Sequence, residues 1–254
     1  MQALGIERLT PPHATDVQVF VMPVDAWPLS EVPLAQATEV ETFVTEKRRN
    51  EHLSGRRLLG QALLAWGVSD LSVVEVHRDE YRAPTVRFIQ GVWKRTPLPN
   101  ISISHSDGMA FVALSPSSQR VGIDAEPVGR TLAENAFDLM ARGEELERLR
   151  EEPVHVFRAW TGKEAVQKCL GMGMHLNPRE IEIPIGVNNG EISIGNSNIQ
   201  LQYWTEKGYH LSLATTASGL AEPTPEDLLL EQTRQAMQAQ PDWGVGCKTQ
   251  RKGA

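Results

Sequence analysis

The chain has 254 residues, 41% of them hydrophobic, enough to bury the core of one large domain or of two small ones. Its formal net charge of -7, from 32 acidic and 25 basic residues, excludes a general nucleic-acid binder, because affinity for a phosphate backbone needs clustered positive charge. The first eight residues do not read as a secretory leader, no apolar run approaches the roughly 18 residues of a membrane span, and Cys169 and Cys247 fit no metal or disulfide spacing, so the expectation is a globular cytoplasmic protein.

Residues Met1 to Thr15 show no periodicity and read as an irregular lead-in, followed by an alternating first strand at Asp16–Met22 that Pro23 stops. From about Leu34 to Trp66 the apolar spacing is helical, with Gly67 as the stop. That helix carries Lys47-Arg48-Arg49 and Arg56-Arg57, a local basic patch on an acidic chain; a charged run on a helix is as a rule only a solvated face. Strands are expected at Leu71–His77 and Thr85–Ile89, with a proline-bounded turn at Arg78–Pro84 between them. Further strands are expected at Asn100–Ser106, Met109–Leu114 and Arg120–Asp124, joined as a meander.

Helical patterns follow at Leu132–Met140, Glu144–Arg150 and Val154–Leu170, the last ended by Gly171-Met172-Gly173. Strands are then expected at Ile181–Ile185, Glu191–Ile194, Ile199–Trp204 and Tyr209–Ala214, and a short helix at Pro225–Met237. Each half holds a long helix and several strands, which predicts an α+β fold of two similar subdomains: residues 1–120, residues 121–217, and an extension over 218–254.

Two stretches carry chemistry. In Val121-Gly122-Ile123-Asp124-Ala125-Glu126 a strand's period of two puts Val121 and Ile123 on one face and the carboxylates of Asp124 and Glu126 on the other. In Trp160-Thr161-Gly162-Lys163-Glu164-Ala165-Val166-Gln167-Lys168 a helix puts Glu164 and Lys168, four apart, on one face. If helix and strand pack together, three carboxylates and an ammonium converge, and hard oxygen donors without nearby His or Cys point to Mg²⁺. The plain alternative is a solvated strand edge and a surface ion pair worth about 0.3–0.5 kcal/mol.

Together with Asn100-Ile101-Ser102-Ile103-Ser104-His105-Ser106, these stretches resemble the G-I-D-x-E, W-[ST]-x-K-E-[AS]-x-x-K and S-x-S-H-S signatures of the larger type of 4′-phosphopantetheinyl transferase, in the same order and at similar spacing. The resemblance spans roughly residues 47 to 175. It implies two α/β subdomains related by a pseudo-twofold, and a reaction that moves the phosphopantetheine arm of coenzyme A to a serine of an acyl or peptidyl carrier protein and releases adenosine 3′,5′-bisphosphate.

By motif match it implies Asp124, Glu126 and Glu164 as Mg²⁺ ligands, Glu164 also as the base for the incoming serine, and Lys168 as a charge stabiliser on the pyrophosphate. It likewise implies Ser104 and His105 as coenzyme A ligands and Arg56, at the head of the long helix, as the arginine that meets the 3′-phosphate, with Arg57 as a competing register and Lys47, Arg48 and Arg49 as further candidates. Tyr81-Arg82-Ala83-Pro84 is nearest to an R-x-P segment of one branch, which puts Arg82 near the nucleotide. The implied protein is a monomer serving secondary metabolism. Two competing readings are a binding module for coenzyme A or a carrier that has lost turnover, and a magnesium-dependent nucleotide hydrolase, for which no P-loop glycine pattern exists.

Overall fold

The computed structural model describes residues 5–13, 16–89 and 97–218; the helix expected at Pro225–Met237, the extension beyond residue 218 and Cys247 lie outside them. In chain order the strands and helices are Glu7–Leu9 (β1), Gln18–Pro23 (β2), Ala37–Val40 (α1), Glu46–Trp66 (α2), Val74–Arg78 (β3), Pro84–Phe88 (β4), Asn100–Ser106 (β5), Met109–Ser115 (β6) and Gln119–Pro127 (β7). They continue with Phe137–Met140 (α3), Gly143–Glu151 (α4), Val156–Cys169 (α5), Asn189–Ile194 (β8), Ser197–Glu206 (β9) and Tyr209–Ala217 (β10). The fold is mixed α/β.

Two antiparallel four-stranded sheets dominate, ordered β1-β2-β6-β5 and β7-β10-β9-β8, and β3 and β4 form a separate hairpin. Alternation along the strands sorts side chains into layers. Val19 and Val21 of β2, Phe111 and Ala113 of β6, Val121 and Ile123 of β7, and Leu211 and Leu213 of β10 share one core, between the sheets. Their sequence neighbours face the other way: Phe20, Met22, Ala110, Val112 and Leu114 pack with Leu58, Leu59, Ala62 and Leu63 of α2. Ala165, Val166 and Cys169 of α5 pack on Ile199, Leu201 and Ala214 of the second sheet. Each sheet thus carries a long helix on its outer face.

Several expectations change. The lead-in contains β1, whose Arg8 sits opposite Phe20 of β2. The long helical pattern from Leu34 is broken, because Thr45 caps α2 by accepting from the Arg48 amide at 3.3 Å, and α1 stands apart from it. Leu71–Val73 is a 3-10 turn capped by Asp70, so the strand starts at Val74. Only Phe137–Met140 of the pattern over Leu132–Met140 is α-helix, after a 3-10 turn over Glu134–Ala136.

The meander also fails, since β6 is already paired on both sides, by β2 and β5, and β7 crosses to pair with β10. No strand forms at Ile181–Ile185. Ile181 and Ile183 are buried, but the Ile181 carbonyl accepts from the Lys163 ammonium and the Ile183 amide donates to Glu145 Oε1 at 3.0 Å. A buried ion pair, not a neighbouring strand, satisfies this backbone.

Candidate active site

The carboxylate strand and the signature helix pack directly, and Gly122 is the reason they can. A Cβ on Gly122 would collide with the Ala165 carbonyl oxygen and stand 2.5 Å from the Cys169 amide nitrogen. With β7 against α5, Lys168 Nζ lies 2.6 Å from Asp124 Oδ1 and 3.7 Å from Glu164 Oε2. Asp124 is buried and also accepts from Ser104 Oγ at 2.7 Å.

Ser104 belongs to a run of alternate serines on β5 that links the edges of the two sheets. Ser102 Oγ accepts from the Ile123 amide at 3.0 Å, Ser104 holds Asp124 and receives Lys168 at 3.2 Å, and Ser106 donates to Glu126 Oε2 at 3.0 Å. On the opposite side of the strand, Ile103 and His105 lie against α2, where Gly55 leaves room: a Cβ there would run into His105 Nε2.

The electrostatics match this crowding. Burial above all pushes the Glu164 carboxyl up; Lys168 opposes that, Asp124 and Glu126 add to it, and the net shift is upward. Burial works against the Lys168 ammonium, but Asp124 and then Glu164 outweigh it and hold it charged. Glu126 is the outlying carboxylate, held by Arg130 Nη1 at 2.5 Å as well as by Ser106. Among the described residues no three His, Cys, Asp or Glu side chains are arranged as a metal-binding group.

Beside this cluster opens a cavity of about 620 Å³, lined by Arg48, His52 and Arg56 of α2, Arg78 of β3, Tyr81 and Arg82 of the hairpin turn, His105, and Lys168 with Gly171 from the far side. Of the expected ligands, Arg56, Arg82, His105 and Lys168 line it, whereas Ser104 commits its hydroxyl to Asp124 and Lys168. Arg57 points elsewhere, stacked over Trp27 with 3.8 Å to the ring centroid and donating to the Glu31 carbonyl at 2.9 Å. Lys47 is a surface residue, 79% exposed in its side chain, and only Arg48 of that basic triplet reaches the cavity lining.

Arg82 owes its place to the turn. Asp79 Oδ1 accepts from the amides of Tyr81 at 3.0 Å and Ala83 at 2.8 Å, and Arg82 itself sits in the left-handed region at φ 66. His105 is held neutral, its pKa pushed down to about 3 by burial first and then by Lys168, Arg48, His52 and Arg56. Burial and then Arg56 push His52 down to about 4, with Glu39 opposing. Among the described residues His105 Nε2, His52 Nε2 and Arg56 Nε and Nη1 have no hydrogen-bond partner.

Arg78, His52 and Glu39 are site residues that the sequence reading missed. Two of them carried a signal. Arg48, His52 and Arg56 are spaced by four and fall on one stripe of α2. Arg78 continues the inward phase of Val74 and Val76 on β3. Glu39 carried none, since its partner Arg78 is 39 residues away.

Residues 120–214 match the family model of the 4′-phosphopantetheinyl transferase superfamily. This span holds α5, β8, β9 and most of β7 and β10, and with them Asp124, Glu126, Glu164 and Lys168; Arg56, Arg82 and His105 lie upstream of it. No curated protein matches the chain.

Proposed function

We propose that the chain transfers the 4′-phosphopantetheine group of coenzyme A to a serine of an acyl or peptidyl carrier protein, as a transferase of the larger type in which one chain supplies both walls of the site. The observation that carries this reading is the junction at Lys168: the carboxylate cluster of the family-matched segment opens directly onto an arginine-lined cavity built by upstream residues. Because both walls come from one chain, the monomer is the working form.

Arg56, Arg82 and His105 hold the nucleotide end of coenzyme A, guanidinium groups being suited to phosphate by geometry. The serine oxygen forms a bond to the phosphorus that bears the pantetheine, and the bond from that phosphorus to the bridging oxygen breaks. Adenosine 3′,5′-bisphosphate leaves with the bridging oxygen. Glu164 takes the serine proton, its carboxylate standing beside Lys168 at the mouth of the cluster. Lys168 faces the charge that grows on the leaving phosphate, where an ammonium is most useful.

The donor chemistry fits a divalent cation. Asp124, Glu126 and Glu164 offer only hard oxygens; as placed, Asp124 is paired with Lys168 and Glu126 with Arg130, and burial first, then Asp124 and Glu126, raises the Glu164 pKa, a repulsion that a cation would relieve. Mg²⁺ bound by these three would neutralise the pyrophosphate. Acidic carriers and an acidic chain repel each other in net charge, so docking relies on local apolar contact and a few basic groups. A cytoplasmic role in secondary metabolism completes the reading; among the described residues no helix is long and apolar enough to cross a membrane.

The test is incubation with coenzyme A, Mg²⁺ and an apo carrier protein, read by mass spectrometry of the carrier. One phosphopantetheine group should be added to its serine, and chelation with EDTA should abolish the product. Coenzyme A binding without modification of any of several carriers would replace the transferase with a binding module.

A further inference from the structure

Arg48, Arg56, Arg78 and Arg82 line a cavity that calls for an anion, and three of them already meet one from the chain itself: Glu51, also in the lining, accepts from Arg48 Nη1 at 2.9 Å, and Glu39, outside the lining, faces Arg56 and Arg78. Glu39 Oε1 accepts from Arg78 Nε at 2.7 Å, while Glu39 Oε2 stands 3.4 Å from Arg56 Nη2 and 3.7 Å from His52 Nε2. Burial raises the Glu39 pKa, but Arg78, Arg56 and His52 together outweigh it, and the net shift is downward. At neutral pH the carboxylate is ionised.

Its fit is incomplete. Arg56 is only 2% exposed, yet its Nε and Nη1 have no partner among the described residues, and its contact with Glu39 is long. One carboxylate has two oxygens and a single charge, too few for two guanidinium forks and an imidazole. A phosphate monoester brings three terminal oxygens and close to two charges. Glu39 sits on α1, whose Val40 packs with Leu53 of α2, but its own side chain is 18% exposed and can turn outward to solvent. The carboxylate can therefore retreat without disturbing α2.

We propose that Glu39 is a resident counter-ion that holds Arg56 and Arg78 in the free protein and gives way to the phosphate monoester of the nucleotide, so that it sets how strongly that phosphate contributes to binding. Both anions cannot keep the same arginines, because like charges at such separations disfavour each other. Glu39 thereby acts as a specificity-determining residue: it lowers the advantage of a ligand carrying the monoester over one lacking it. The inference rests on the coenzyme A reading above.

The experiment is titration calorimetry of the full chain with coenzyme A and with dephospho-coenzyme A, which lacks only the 3′-phosphate. Glu39→Gln should bind coenzyme A roughly tenfold more tightly than wild type, the size of one charge-assisted contact, and leave dephospho-coenzyme A unchanged. Thermal unfolding of each variant shows whether it is folded. If Glu39→Gln is not, Glu39→Asp carries the test, since it keeps the charge but withdraws it by one methylene and should tighten coenzyme A by a smaller factor. Weaker coenzyme A binding by the folded variant, or an equal change for both ligands, overturns the proposal and makes Glu39 a positioning residue. Failure of both ligands to bind wild type and variants alike overturns the coenzyme A reading itself.

Discussion

Gly122 lies so close to Ala165 that any side chain at position 122 would strike the Ala165 carbonyl oxygen. This contact sets the distance between β7 and α5, and through it the distance from Asp124 to Lys168 two residues and one helical turn further on. Gly122→Ala should therefore cost about 1–3 kcal/mol as an overpacked core, read as a lower denaturation midpoint. It should also cut transfer far more than coenzyme A binding, because Arg56 and His105 are placed by other elements. A variant of unchanged stability would show that strand and helix separate freely.

The Lys168–Asp124 bond is the second test. Lys168→Met leaves two carboxylates without their ammonium, so transfer should fall by roughly 10²–10³, as for loss of a preorganised electrostatic group. Stability should fall by about 1–3 kcal/mol, with Asp124→Asn recovering part of it in the double variant. Additive losses would mean that the 2.6 Å contact carries no coupling.

Much of this site could be read from the chain because its parts are local and periodic. The alternation in β7, the spacing of four between Glu164 and Lys168, and the helix stop at Gly171 each come from a single element. What the sequence hid depends on contacts between distant segments. The Ile181–Ile185 stretch has the apolar pattern of a strand, yet Lys163 and Glu145 capture its backbone. The pattern from Leu34 to Trp66 has helical spacing throughout, yet a cap at Thr45 splits it and frees Glu39 to meet Arg78. Period alone does not say which backbone groups a buried charge will claim.

That buried charge pair leads to a third expectation. Lys163 is fully buried, and its ammonium donates to Glu145 Oε2 at 2.7 Å and to the carbonyls of Pro178 and Ile181. Lys163→Met would leave Glu145 charged and buried, at a cost of about 3–5 kcal/mol. The paired change Lys163→Met with Glu145→Gln should be less damaging than the single one. Lys163 neighbours Glu164 in sequence but points away from the cavity, so a folded double variant should keep coenzyme A binding. Loss of that binding in a folded variant would place Lys163 in the site.

The last expectation concerns pH. His105 and His52 are held neutral, their pKa values pushed down to about 3 and about 4 from the ordinary 6.5, by burial above all. On acidification the unfolded chain takes up these protons first, so the stability the two imidazoles contribute is present above about pH 6.5 and is lost as pH falls toward 4. Glu164 has the opposite sign: its raised pKa favours the folded state at low pH, and Glu164→Gln should remove that opposing contribution. Thermal unfolding followed from pH 7 to pH 4, window values that follow from the imidazole shifts, should show a steep acid limb in wild type and a shallower one in His52→Gln and His105→Gln. Adenosine 3′,5′-bisphosphate should shrink the limb in wild type, because an anion beside His52 favours the imidazolium and lifts its pKa. An acid limb of the same steepness in both His variants would mean that other groups govern the acid response, and a limb untouched by the nucleotide would mean that no phosphate reaches His52.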